Sequence, residues 1–167
     1  LKMHGGGPAV KPGAKLDEAY TRENLGLLEK GCENLEAHIE IVKKSGVRPV
    51  VCINGFHTDT AAEVALVKRV AEARGAYAAL SQHWLKGGEG ARDLAEAVVA
   101  ASNEKNHFKF LYELDMPLRQ RIEVIAREIY GADGVSYTDV ALEKAKQFEA
   151  DPATARMGTC MVKTHLS

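Results

Sequence analysis

The sequence predicts an α/β fold, with a parallel sheet flanked by helices and a small helical satellite after it. Two short apolar runs, 49–53 and 76–80, have the length of buried strands, and an amphipathic helical pattern separates them. This alternation of strand and helix is typical of β-α-β crossovers, which place neighbouring strands parallel. After residue 102 two helical patterns follow without an apolar strand between them. We therefore predict two domains, 1–102 and 103–167.

Composition narrows the class of protein. The 167-residue chain is 46% hydrophobic and 27% charged, with a net charge of -1. A chain so close to neutral has no electrostatic footprint for nucleic acid or an anionic membrane, and no apolar run reaches the roughly 18 residues that span a bilayer. We expect neither nucleic acid nor a membrane as a partner. Three scattered cysteines without metal-ligand spacing favour the reducing cytoplasm.

The first half of the chain predicts a loop and two helices around the first strand. The glycine-rich residues 1–12 favour an irregular loop. Thr21 is placed to cap a long helix that ends at Gly46, and Thr60 begins a capping box for a second helix that ends at Gly75. The inward stripe of the long helix is predicted to be Leu25, Leu28, Cys32, Leu35, Ile39 and Val42.

The second half predicts further helices and two extended segments. The glycines at 87–90 suit either an anion site at a helix N-terminus or a tight turn, and we favour the turn because no phosphate-loop or dinucleotide glycine pattern is complete. Residues 108–114 are predicted to be extended, Pro117 opens one helix and Thr138 another. The abrupt first residues and the strand-like end at 161–167 predict a piece of a longer protein. The inward residues of the Thr138 helix are predicted to be Leu142, Ala145 and Phe148.

Polar residues follow both predicted strands at the point where each strand ends. Asn54 and Asp59 follow the first strand, and Ser81 follows the second. Ligands of open α/β sheets bind outside the carboxyl ends of the strands, and an Asn amide or an Asp carboxylate there can face a purine base. This placement predicts the nucleotide side of a P-loop NTPase-like core. An equal alternative is that Asp59 is a turn or cap residue for the helix at Thr60.

Two aromatic residues follow the same strand ends. Phe56 lies in the first loop, and Trp84, the chain's tryptophan, lies in the second. Two rings facing one gap would suit a flat heteroaromatic ligand, since offset stacking adds about 0.5 to 1.5 kcal/mol per ring pair. The alternative is that both rings pack into the core beneath the loops.

Short blocks spread over nearly the whole chain carry a resemblance to a known family. They are LKMHGG at 1–6, ENL at 23–25, EKG at 29–31, ENL at 33–35, INGFHTDT at 53–60, ALSQHWLKGGEG at 79–90, IYGAD at 129–133 and KTH at 163–165. In combination these blocks resemble formate–tetrahydrofolate ligase, also called formyltetrahydrofolate synthetase.

The resemblance implies an ATP-dependent ligase that forms 10-formyltetrahydrofolate from formate and tetrahydrofolate through formyl phosphate. It implies magnesium and a monovalent cation as cofactors beside ATP, small-molecule substrates, and a homo-oligomer. It also implies a longer chain whose phosphate loop precedes Leu1, so the remainder of the ligase is a partner and this portion alone is expected to be inactive. The alternatives are a non-catalytic nucleotide-binding partner module and, more weakly, a dinucleotide-binding oxidoreductase domain.

The resemblance also implies roles for the residues at the strand ends. Phe56 and Trp84 resemble the aromatic residues that sandwich the pterin ring, and Leu80 resembles an apolar wall of that pocket. The residues that resemble nucleotide-side or pocket-shaping positions are Asn54, Asp59 and Ser81.

The chain departs from the family's pattern in two places. Gly55 and His57 are variants within the aromatic loop, which bears on how Phe56 presents its ring. Residues 151–159 lack the Gly-Phe and Leu-Pro tract usual before the last segment, which leaves their path unpredicted.

Overall fold

A computed structural model of the chain describes residues 1–105 and 107–161. The chain divides into two compact units, Leu1–Phe108 and Lys109–Ser167. The domain division after residue 102 stays a prediction. In the part that the structure describes, no helix is long and apolar enough to cross a membrane.

The first unit is built on two parallel strands. Val50 pairs with Tyr77 at one end of the ladder and Asn54 pairs with Ser81 at the other. The predicted α/β class with parallel strands is confirmed as a small two-stranded sheet with helices. The elements of this unit are α1 (Glu18–Thr21), α2 (Leu25–Lys44), β1 (Val50–Asn54), α3 (Ala61–Ala73), β2 (Tyr77–Ser81), α4 (His83–Lys86), a 3-10 helix (Gly87–Ala91) and α5 (Arg92–Asn103).

The core of this unit lies between α2, α3 and the strands. One cluster joins Leu28 and Cys32 of α2 to Leu66 and Val67 of α3. A second cluster joins α2 and α3 to the start of β2 through Ile39, Ala71, Ala76 and Ala78. Ile53, near the carboxyl end of β1, packs against both clusters. The core therefore supports the strand where the predicted site begins.

Four local predictions for this unit are decided by hydrogen bonds and packing. Thr60 and Glu63 form the predicted capping box of α3. Thr21 does not cap the long helix, because it ends α1 and the Asn24 side chain accepts from the Leu27 N–H instead. The predicted turn at 87–90 is part of the 3-10 helix. In the predicted inward stripe, Leu25 and Val42 are exposed.

The second unit contains α6 (Leu118–Tyr130) and α7 (Asp139–Ala150). Pro117 precedes α6 as predicted, and Thr138 caps α7 by accepting from the Ala141 N–H at 3.3 Å. Residues 108–114 form no strand, because the described part of the unit offers no neighbouring strand with which to pair.

Two features of the second unit differ from or extend the sequence prediction. Phe148 is exposed rather than inward, whereas Ala145 on the same helix is buried. The chain at 152–157 forms turns, and the buried Arg121 holds them by donating to the Ala155 carbonyl at 2.7 Å and to the Met157 carbonyl. The predicted tail beyond Met161, with the KTH block, lies outside the described residues.

Candidate functional site

The two loops of the predicted site begin side by side. Asn54 and Ser81, the last residues of the two strands, are partners in the ladder. The Gly55 N–H then donates to the Ser81 carbonyl at 3.0 Å, which extends the pairing by one residue. The two loops therefore leave the same edge of the sheet next to each other, as the strand-end argument requires.

A side chain of the second loop is bonded to the backbone of the first. Trp84 Nε1 donates to the Gly55 carbonyl at 2.7 Å. Gly55 is itself buried, and a Cβ built there would lie 2.7 Å from Leu80 Cδ1. The structure therefore places Trp84 and Leu80 each against Gly55, the residue before Phe56.

The rings of Phe56 and Trp84 do not pack into the core. They are 60% and 50% exposed, and a ring neighbour of Phe56 is His57, at 6.4 Å between centroids. The sole donor of the indole is occupied by Gly55, which fixes the orientation of the indole without using either of its faces. This arrangement leaves aromatic surface open at the carboxyl edge.

Asp59 shapes the first loop. Its Oδ2 accepts from the Phe56 N–H at 2.7 Å, and its own N–H donates to the Phe56 carbonyl at 3.1 Å. The carboxylate thus holds the backbone that carries the ring, while Thr60 supplies the helix cap. A nucleotide-side role for this residue stays a prediction.

The other two nucleotide-side candidates are placed very differently. Asn54 is exposed at the end of β1. Ser81 is fully buried, and its Oγ lies 3.0 Å from Nδ1 of His83 in α4. Ser81 is therefore in position to orient the segment that carries Trp84, whereas Asn54 is accessible to a ligand.

A cavity of about 570 Å³ lies beside the first loop. Asn54, Phe56 and Asp59 line it, while Leu80, Ser81 and Trp84 are not among its lining residues. The rest of the lining comes from the N-terminal segment, from β1 and from α2 and α3, and it includes the apolar side chains of Leu1, Met3, Val51 and Ile53. The structure therefore gathers the six predicted residues at one edge of the sheet but divides them between a cavity and the adjoining second loop.

Sequence reasoning missed a largely buried ion pair that also lines this cavity. Lys2 Nζ lies 2.7 Å from Glu63 Oε1, and their side chains are 10% and 4% exposed. Burial alone would raise the pKa of the Glu63 carboxyl, but hydrogen bonds from Lys2 and from the backbone of Asn24 and Thr60 outweigh it and lower the pKa. The capping box revealed Glu63, but no local pattern indicated that a residue of the N-terminal segment would pair with it.

The described residues include no candidate metal-binding cluster. In residues 1–105 and 107–161 no group of three or more His, Cys, Asp or Glu side chains lies close enough together to hold a metal ion. We therefore assign no metal ligand.

Comparison with known proteins identifies the family. The family described as formate–tetrahydrofolate ligase matches residues 1–167. The formate–tetrahydrofolate ligase of Dehalococcoides mccartyi is 61% identical over all of this chain, which covers 28% of that protein. The ligases of Desulfotalea psychrophila and Syntrophobacter fumaroxidans are 58% and 59% identical over the whole chain, which covers 30% and 28% of them. With a match along its whole length, the chain belongs to the formate–tetrahydrofolate ligase family.

Proposed function

We propose that this chain is a portion of an ATP-dependent ligase that forms 10-formyltetrahydrofolate from formate and tetrahydrofolate through formyl phosphate. The chain spans less than a third of the relatives' length, so the complete activity belongs to a chain of that length carrying this sequence, called here the full-length ligase. The observation that carries the assignment of a folate site is the Trp84–Gly55 bond, which ties the two loops bearing exposed rings together.

In this proposal Phe56 and Trp84 clamp the pterin ring, and Leu80 forms an apolar wall. Stacking orients a flat ring without needing a specific donor pattern, and it contributes about 0.5 to 1.5 kcal/mol per ring pair. The held folate amine then attacks the formyl carbon of formyl phosphate, the C–O bond to phosphate breaks with its electron pair going to phosphate, and the released phosphate takes up the proton of the amine. Fixing the amine near this mixed anhydride replaces a bimolecular encounter with a positioned reaction.

The nucleotide side is proposed to extend beyond this chain. Asn54 and Asp59 would contribute to it directly, and Ser81 would shape it through His83. The phosphate loop would belong to the remainder of the ligase, completing a P-loop NTPase-like core around ATP. We also propose a cytoplasmic homo-oligomer that uses magnesium and a monovalent cation, with no ligand for either ion assigned to the described residues and no step derived through them.

The alternative of a non-catalytic nucleotide-binding module is not favoured. Identity of 58% to 61% to proteins named as ligases extends over the whole chain. All three of these relatives are named as ligases, which favours a portion of an enzyme over a docking module.

The test is to replace each of the two aromatic residues by alanine in the full-length ligase. Phe56→Ala and Trp84→Ala are each expected to raise the KM for tetrahydrofolate by up to roughly tenfold, because each loses one stacking face. The KM for ATP should change little. Formate-dependent ADP formation measures both constants, and tetrahydrofolate titrated against tryptophan fluorescence measures binding in the Phe56→Ala variant.

Phe148→Ala is the matched control, since Phe148 is an aromatic residue of the second unit with an exposure close to that of Trp84. It should leave both KM values unchanged. Unaltered tetrahydrofolate binding in both loop variants would show that the rings do not hold the pterin.

A further inference from the structure

We propose that the buried Lys2–Glu63 pair is a positioning device that sets where the Phe56 ring stands, by tying the N-terminal segment to the loop 55–60. Both residues are positioning residues, since they act on the ring through other groups. The inference rests on the proposed folate role of Phe56, but its central readout does not require that role.

Lys2 is held on a fixed support. Its Nζ donates to the carbonyl of Arg22 at 2.9 Å and to that of Tyr20 at 3.4 Å, besides contacting Glu63. The segment that carries it lies directly on α2, where a Cβ at Gly5 would strike the Leu27 carbonyl and one at Gly31 would strike the Leu1 carbonyl. Lys2 therefore presents its charge from a segment that cannot slide freely along the helix.

Glu63 connects Lys2 to Thr60, the last residue of the loop 55–60. Its Oε2 accepts from the Thr60 N–H at 3.3 Å, while its own N–H donates to Thr60 Oγ1 at 3.2 Å. Its Oε1 also accepts from the Asn24 N–H at 2.9 Å, and Thr60 Oγ1 donates to Glu23 Oε2 at 2.6 Å. Thr60 is thus tied to α3 and to the residues that begin α2.

The last link runs from Thr60 back to the ring. Asp59, the neighbour of Thr60, exchanges two hydrogen bonds with the backbone of Phe56. A shift of Thr60 must therefore move Asp59 and, with it, the backbone that carries the aromatic side chain. The path from Lys2 to the ring is continuous and consists of directional contacts.

The burial of this pair distinguishes it from an ordinary helix cap. A capping-box Glu needs only backbone donors, and such a residue can perform that role in contact with solvent. Glu63 is instead 3% exposed, and a buried carboxylate requires a cation and further donors. Buried ionic groups are best attested as devices that select one register among several. The register selected here is that of the loop 55–60 against the N-terminal segment, on the wall of the cavity that both line.

The experiment uses Glu63→Gln in the full-length ligase. Gln removes the charge that engages Lys2 and keeps one oxygen, which can accept from either Asn24 or Thr60 but not from both, because these two N–H groups bond to different oxygens of Glu63. We expect the KM for tetrahydrofolate to rise, by less than in Phe56→Ala, because the ring is displaced and not lost, while the KM for ATP stays unchanged. A merely structural role would lower the melting temperature without separating the two constants.

Glu104→Gln is the matched control. It makes the same chemical change in an ion pair with Arg48, which precedes the first strand, and this pair lies away from the loop 55–60. Both KM values should remain those of the unmodified ligase. Lys2→Arg, which can keep the pair, should retain most of the affinity for tetrahydrofolate.

Hydrogen exchange provides a readout that is independent of activity. The amides of Phe56, Asp59 and Thr60 should exchange faster in Glu63→Gln than in Glu104→Gln. If Glu63→Gln does not fold, the double variant Lys2→Met with Glu63→Gln, which leaves no unpaired buried charge, carries the same expectation.

Two failures are distinguishable. Exchange at these amides that matches the unmodified protein overturns the positioning role, whatever the kinetics show. A full-length ligase that forms no 10-formyltetrahydrofolate overturns the proposed function instead, and the exchange rates still decide whether the pair positions Phe56.

Discussion

The two ends of the small sheet each carry a cation–carboxylate pair of nearly the same length. At the carboxyl end Lys2 and Glu63 lie 2.7 Å apart, with side chains 10% and 4% exposed. At the amino end Arg48 and Glu104 lie 2.6 Å apart, with side chains 39% and 37% exposed. The two pairs have nearly the same N–O distance, but the side chains of the Lys2–Glu63 pair are much less exposed to solvent.

The surroundings of the two pairs differ as much as their exposure. Arg48 also donates to the Gly75 carbonyl at 2.9 Å and lies 4.1 Å from the centre of the Tyr77 ring. The Tyr77 hydroxyl donates to Glu104, and this bond, followed by that from Arg48, lowers the pKa of the Glu104 carboxyl. Water can replace any of these partners. An ion pair is therefore structurally decisive where water cannot substitute for a lost partner.

Lys2→Met is expected to have the largest effect on stability. This change leaves the Glu63 carboxylate buried without a cation, and we expect it to cost about 3 kcal/mol of stability, the lower end for broken buried pairs because Lys2 keeps some exposure. Thermal unfolding of the full-length ligase should show the loss as a lower melting temperature. Glu104→Gln should lower that temperature far less, and equal losses at the two ends would remove the distinction between them.

Substitutions of two glycines should have different effects at the two ends of the sheet. We expect the change at the amino end to affect mainly stability, and the change at the carboxyl end to affect mainly ligand binding. Gly75, at the amino end, has φ 79° and open space where a Cβ would lie, so Gly75→Ala should cost about 1 to 2 kcal/mol through backbone strain alone. Gly55→Ala instead pushes against the flexible end of Leu80, which should cost less stability but raise the KM for tetrahydrofolate. Melting temperatures and kinetics of both variants measure the two effects. A rise in KM with Gly75→Ala but not with Gly55→Ala would contradict this assignment.

Acid titration gives the smallest expected effect. The pKa of Glu63 is lowered from its ordinary value of 4.5, so the unfolded chain binds the proton more readily than the folded one. The stabilisation is therefore fully present above the ordinary pKa and is lost as the pH falls through the folded pKa. Melting temperatures measured from neutral to acidic pH should decline less steeply for Glu63→Gln than for the unmodified protein. Identical slopes would show that Glu63 is not the titrating group.

Local patterns predicted most of the first unit because local forces decide those features. The run 49–53 and the capping box at Thr60 are specified by residues within a few positions of each other, and both are present with small shifts in their bounds. The predicted cap of α2 was wrong because Thr21 and Asn24 both have cap chemistry, and the short helix α1 takes up the former. Competition between neighbouring residues of similar propensity is difficult to resolve from sequence.

The second unit was less predictable for a related reason. The helix at Thr138 follows from its cap, but the exposure of Phe148 depends on which face of α7 finds a partner. Likewise the turns at 152–157 depend on Arg121, whose buried guanidinium donates to carbonyls 34 and 36 positions away in sequence. Helical periodicity indicates a face but does not say what covers it.

For the site, the order of residues along the chain is enough to predict that polar and aromatic residues follow two neighbouring strands, and therefore that Asn54, Phe56 and Trp84 lie at one edge of the sheet. The tertiary structure alone decided that the Trp84 indole is bonded to Gly55, that Ser81 is turned inward to His83, and that Lys2 reaches Glu63. The positions of the strands along the sequence and the alternation of their side chains are local properties of the chain. A buried pair between residues 2 and 63 exists only when two separate segments exclude water together, and no local pattern records that event.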